Sequence, residues 1–165
     1  MTGETLYNTI RETVWTYIEA YSFSGPHGKP NIRLLTSLMS PEYQHSWGHN
    51  HMIRDMPRLQ GVLDGEGFAA HLGSMVPHLE SCRAVVHDMI VDAPARKVVV
   101  RNSFFMCPRG QGGGGEDGRE TVENDVLWIF GMDESGSRIE SAMEFLDAAA
   151  TERIGELIAK AKERQ

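Results

Sequence analysis

The 165-residue sequence predicts an α+β fold, a curved antiparallel sheet wrapped on N-terminal helices and closed by a C-terminal helix into a cone. Three observations predict it. Before residue 77, three segments carry apolar residues at spacings of three and four. From Arg83 the pattern turns to valine-rich, partly alternating runs separated by short turns. After Asp147 a helical pattern returns.

In chain order, Leu6, Ile10, Val14, Tyr17, Ile18 and Tyr21 place one apolar stripe on a helix over 4–21, with Thr2 or Thr5 as its cap. The stretch SFSGPHGKP (22–30) is a loop, since it holds two glycines and two prolines. A short helix follows with Ile32, Leu35 and Leu38 inward, ending near Ser40-Pro41, and Tyr43–Trp47 reads as a short strand. Residues 49–65 lack a clear period but are rich in Met, Ile and Leu, so they form a loop that packs. Residues 65–76 form a helix bearing Phe68, Leu72, Met75 and Val76, with Pro77 at its end. Four strands follow, over 83–91, 96–106, 119–132 and 138–146, as an antiparallel meander. The segment 108–118, with glycines at 112–115 followed by Glu116 and Asp117, is a solvated hairpin tip rather than a phosphate cradle. Asp147 caps a final helix over 148–163.

Composition excludes several functions. The chain has 16 Lys+Arg against 23 Asp+Glu, a formal charge of −7, so no nucleic-acid partner is expected. No apolar run approaches the roughly 20 residues a membrane span needs, and the polar, amphipathic start is no signal peptide. Cys82 and Cys107 fit no metal-knuckle spacing and read as reduced, buried thiols, which points to a cytoplasmic protein. Apolar residues at 41% suffice for one domain spanning 1–165. The chain carries no nucleophile elbow, Walker motif or dinucleotide fingerprint, so no cofactor is implied.

A curved sheet under helices leaves an apolar hollow in which a few polar groups do the chemistry. On the last strand Glu140, Ala142, Glu144 and Leu146 share one face, and Ile139, Met143 and Phe145 the other. Glu144 is either solvent-facing or inside the hollow. Inside, lost hydration would raise its pKa toward neutrality, as a general acid or base requires. Arg101 lies among valines and either binds a substrate oxygen or forms a structural ion pair. One of Glu123, Asn124 and Asp125 faces inward; alternation leaves the choice open, and Asp125 is the member expected at the substrate. His45, Trp47, His49 and His51 share a face if their strand continues. Gly48 and Asn50 make that frame loose for a metal site, so the histidines either supply one acid–base or hydrogen-bonding group or only pack and face solvent. His71 can reach the hollow from its helix, His78 at the helix end can interact with the last carbonyls, and His27 and His87 have no evident role.

The stretches MVPHL (75–79), VVHDMIVDAPARKVVV (85–100), VENDVLWIFGMDESGSRIE (122–140) and MEFLD (143–147) resemble the SnoaL-like, or nuclear-transport-factor-2-like, family. Within it, small fungal isomerases of meroterpenoid and tetrahydroxanthone biosynthesis are most similar. Glu123-Asn124 and Glu144-Phe145 also resemble pairs in phenazine-pathway members of the fold. The resemblance implies a homodimer, no cofactor, and a pocket for a polycyclic small molecule. It also implies acid–base isomerisation, such as lactone or enol transposition, epimerisation or ring closure, and it carries Glu144 into the pocket. In this reading Glu144 with His45 or His51 exchanges protons, and Arg101 stabilises an oxyanion. Trp47 and Phe105 stack on the substrate, with His71 and Asp125 beside it. The alternatives are a non-catalytic ligand-binding or assembly module, and a dehydratase or hydrolase.

Overall fold

The structure, a computed structural model, describes residues 3–25, 28–109 and 120–163. Thr2, His27 and the glycine-rich tip lie outside them. Helix α1 (Gly3–Glu19) is followed by α2 (Ile32–Ser37), strand β1 (Met39–Trp47), α3 (Asn50–Arg54) and α4 (Gly65–Met75). Strands β2 (Leu79–Asp92), β3 (Lys97–Pro108), β4 (Val122–Met132) and β5 (Ile139–Leu146) precede α5 (Ala148–Glu163).

The strands form one sheet in the order β1-β5-β4-β3-β2. Strands β2 to β5 are the expected antiparallel meander. Strand β1 adds to the β5 edge in parallel, which makes the sheet mixed. A parallel pair needs a long crossover, here everything between the two strands, and no local turn signal announces it.

Strand β1 is longer than its sequence suggests. Helix α2 stops at Ser37 and the strand already includes Ser40-Pro41. Proline is tolerated there because β1 is an edge strand, and its pairing to β5 skips from Met39 to Gln44. At the other end β1 stops at Trp47, and His49 takes a left-handed φ of 61° before α3 begins. The packed loop thus contains α3 and a 3-10 turn at Pro57–Leu59. It returns to β1 at Leu63, whose N–H and C=O bond the backbone of His45 at 2.9 and 2.7 Å.

The inner face of the sheet packs on α1, α4 and α5. Tyr17 of α1 sets its ring edge-on to Trp128 and Phe130. Trp128, Phe130, Val98, Val100 and Ala142 are buried beneath the helices. Asp64 caps α4 by accepting from Gly67 N–H, and Asp147 caps α5 by accepting from Ala150 N–H.

Strand β5 departs from strict alternation. Its register with β4 slips between Gly131↔Ser141 and Met132↔Ile139, so Glu140 is an extra, bulged residue. Ile139 therefore turns inward and is fully buried, while Glu140 is exposed. Glu140 does not share the inner face with Ala142 and Glu144, contrary to the alternation.

Candidate active site

A cavity opens between the sheet and helices α4 and α5. Its walls are mostly apolar, with Phe23, Phe68, Leu72, Phe104, Met106 and Ile154 prominent. The polar groups that border it are few, chiefly Glu144, His71, Tyr21, Asn124, Thr151 and Arg58.

Glu144 stands on β5 beside Trp47 of β1, its register partner. The residue is buried, and Trp47 donates its indole N–H to Oε2 at 3.0 Å. His45, fully buried one strand position pair earlier, brings Nε2 to 3.5 Å from the same oxygen. That contact lacks hydrogen-bond alignment, and Nε2 has no other partner. The imidazole stacks on Phe68 with ring centroids 3.9 Å apart. On its other side Nδ1 lies 3.2 Å from the Tyr43 hydroxyl. Tyr43 meets Tyr17 at 2.9 Å, and Tyr21 donates to Tyr17 at 3.2 Å. Burial, above all, holds all three phenols well above their ordinary pKa.

His71 faces Trp47 across 5.0 Å between centroids. Burial lowers its pKa from the ordinary value, with the neighbouring charges of His45 and Arg58 adding to the effect and Glu144 opposing it. Cys82 also borders the cavity, but burial pushes its thiol up to about 12, so it is not poised as a thiolate nucleophile.

The structure brings Glu144, His45, Trp47 and His71 together and leaves the other candidates elsewhere. His51 is exposed on α3, because β1 ends before the shared face can reach it. Arg101 and Asp125 sit side by side on the outer face of the sheet. The guanidinium donates to the carboxylate at 2.6 and 3.1 Å and thereby lowers the Asp125 pKa. Arg101 is thus a surface ion pair, and Asn124 is the member of the acidic trio that faces inward. Phe105 shares the outer face with Arg101 and lies 4.3 Å beneath the Arg83 guanidinium; its neighbour Phe104 lines the cavity. Among the described residues no group of three or more His, Cys, Asp or Glu converges as a metal ligand set.

Sequence reasoning missed Tyr17, Tyr21, Tyr43 and Arg58. The tyrosines read as members of an apolar stripe or strand, and their hydroxyls meet only through the tertiary fold. Arg58 sits in a segment with no period to orient it.

No protein-family model matches the chain, and no curated protein matches it. Solved structures do. BvnE pinacolase from Penicillium brevicompactum superposes with a TM-score of 0.75 over 98% of each chain, at 14% identity. PrhC from Penicillium brasilianum NBRC 6234 gives a TM-score of 0.72 at 12% identity, over 95% of this chain and 92% of that one. A putative SnoaL-like polyketide cyclase from Jannaschia sp. CCS1 gives 0.65 at 14% identity, over 90% and 92%. The chain therefore has the SnoaL-like, nuclear-transport-factor-2-like fold.

Proposed function

We propose that this chain is an acid–base isomerase or cyclase that works without a cofactor on an apolar, polycyclic small molecule of secondary metabolism. One observation carries the reading: a carboxylate, Glu144, lines a mostly apolar cavity while an indole N–H holds its Oε2 and an imidazole lies beside it. A carboxylate so placed removes a proton from an acidic carbon or hydroxyl of the substrate through Oε1, and returns it at a second position. Trp47 Nε1 donates to Oε2 and His45 Nε2 lies beside the same oxygen, which fixes the orientation of the carboxylate. Arg58, the only guanidinium lining the cavity among the described residues, suits a developing enolate or alkoxide oxygen. The fold shared with a pinacolase and a polyketide cyclase supports the reading.

The outer sheet face supports a homodimer. Leu127, Ile129 and Met143 are 37–40% exposed there, and Ile129 pairs directly with Met143 across β4 and β5. Cys82 and Cys107, both buried, suit a reducing cytoplasm.

The test uses enolisable polycyclic ketones and lactones incubated with the protein in D₂O. Deuterium is expected at one carbon of an isomer of unchanged composition. Glu144→Gln keeps an acceptor for Trp47 but removes the base, and turnover should fall at least about 100-fold. Binding with no exchange and no product identifies a ligand-binding module instead. A product lighter or heavier by one water identifies a dehydratase or hydrolase.

A further inference from the structure

The tyrosine chain behind His45 has a direction. Tyr21 donates to Tyr17, so the Tyr17 oxygen is already an acceptor at that contact. Tyr17 has one hydroxyl hydrogen, and the Tyr43 oxygen 2.9 Å away takes it. Tyr43 then has one hydrogen left, and His45 Nδ1 at 3.2 Å is the acceptor for it. In this arrangement every hydroxyl donates once. Reversing the Tyr17–Tyr43 bond would leave the Tyr17 hydrogen without an acceptor in a fully buried site, the costly arrangement for a polar group.

We propose that Tyr43 is a positioning residue that sets the tautomer of His45, with Tyr17 and Tyr21 holding it as a donor, so that the imidazole presents Nε2–H to Glu144. The proposal deepens the reading of Glu144 as the reacting base with His45 beside it, and rests on that reading for its catalytic meaning. Among the described residues the ring faces no competing acceptor. From β1 it meets Tyr43 and Trp47, from α4 Phe68, from β4 Trp128, and from β5 Glu144. Among the described residues only the carboxylate lies where it can use an Nε2 hydrogen, and only the Tyr43 hydroxyl addresses Nδ1. An imidazole with Nδ1–H would turn a lone pair toward Glu144 and repel it. The hydrogen bond made by one ring nitrogen thus decides what the other offers.

Long-range ¹H–¹⁵N correlation spectra of ¹⁵N-labelled protein at pH 8 read the tautomer directly. His45 is assigned by its cross-relaxation with the Phe68 ring. The wild-type ring should show a protonated Nε2 and a bare Nδ1. Tyr43→Phe should bring the two nitrogen shifts together or exchange them. Tyr17→Phe, which leaves the Tyr43 hydrogen in place, should keep the wild-type pattern. Nδ1–H in the wild type, or an unchanged pattern in Tyr43→Phe, overturns the proposal. Should Tyr43→Phe not fold, the wild-type and Tyr17→Phe spectra decide alone, since Nδ1–H in either is the overturning result. With a substrate, Tyr43→Phe should lower kcat on the order of 10–100-fold with KM unchanged, as loss of an imidazole's orienting partner does at metal sites. The tautomer is read without turnover, so an inactive protein with Nε2–H would sink the functional reading and leave this assignment standing.

Discussion

At the residue scale the site gathers polar groups into one buried cluster. Glu144 accepts an indole N–H and lies beside an imidazole, whose Nδ1 in turn faces a phenol. His71, half-buried on the cavity wall, has no such partner, and its lowered pKa makes a prediction about stability. Between its folded value and the ordinary 6.5, the unfolded chain binds more protons at this ring than the folded protein does. Its contribution to stability is therefore complete above pH 6.5 and is lost as pH falls toward the folded value. Thermal unfolding at pH 7.5 and 5.5 checks this. His71→Gln should lose less Tm across that interval than the wild type, and an equal or larger loss would contradict it.

At the element scale, the site depends on where β1 ends. Gly48 follows Trp47 directly, and its N–H bonds the Glu144 carbonyl at 2.8 Å. A Cβ on Gly48 would run into the Phe145 ring. Gly48→Ala should therefore displace Phe145 and destabilise the protein by about 1–3 kcal/mol, measured by denaturant unfolding. Glu144 binding to Trp47 should loosen as well, seen as a changed Trp47 indole N–H resonance. The β5 bulge has the matching role on the other strand. It turns Ile139 inward and Glu140 outward, then restores the alternation that points Ala142 and Glu144 inward. The adjacent Gly131 leaves room for the Ser141 hydroxyl. No property of β5 read alone signals that slip, because strict alternation keeps Glu140 and Glu144 on one face and cannot send one out and the other in.

At the scale of the whole molecule, one face of the sheet carries the cavity and the other carries surface ion pairs and exposed aliphatic side chains. The outer face is bridged by Arg101–Asp125 and by Ser103 donating to Glu123 at 2.6 Å. Between those bridges and the edge lies the Leu127, Ile129 and Met143 patch. If a second copy covers it, Ile129→Glu with Met143→Glu should convert a dimer to a monomer in analytical ultracentrifugation. The far-ultraviolet circular dichroism should stay unchanged, because neither side chain belongs to the buried core. A wild-type monomer at tens of micromolar would contradict the dimer.

Local order was legible in the chain. Helical spacing announced α1 and α4, valine-rich, partly alternating runs announced β2 to β4, a run bounded by the DESGS turn and Asp147 announced β5, and Asp147 announced the start of α5, since each rests on contacts between near neighbours, on a turn or on a cap. Glu144 and His45 were visible as ionisable residues within apolar strands. The tertiary structure decided what those residues meet. The parallel pairing of β1 with β5 sets Trp47 against Glu144, 97 residues apart. It also ends the histidine face at His45, leaving His51 in solvent. The face of β3 that holds Arg101 and Phe105 turned outward, because helices covered the side bearing Val98, Val100 and Phe104. Period-two alternation separates the two faces of a strand but carries no information about which face the helices will cover. That choice follows from the summed burial of the whole sheet, to which no single strand holds the answer.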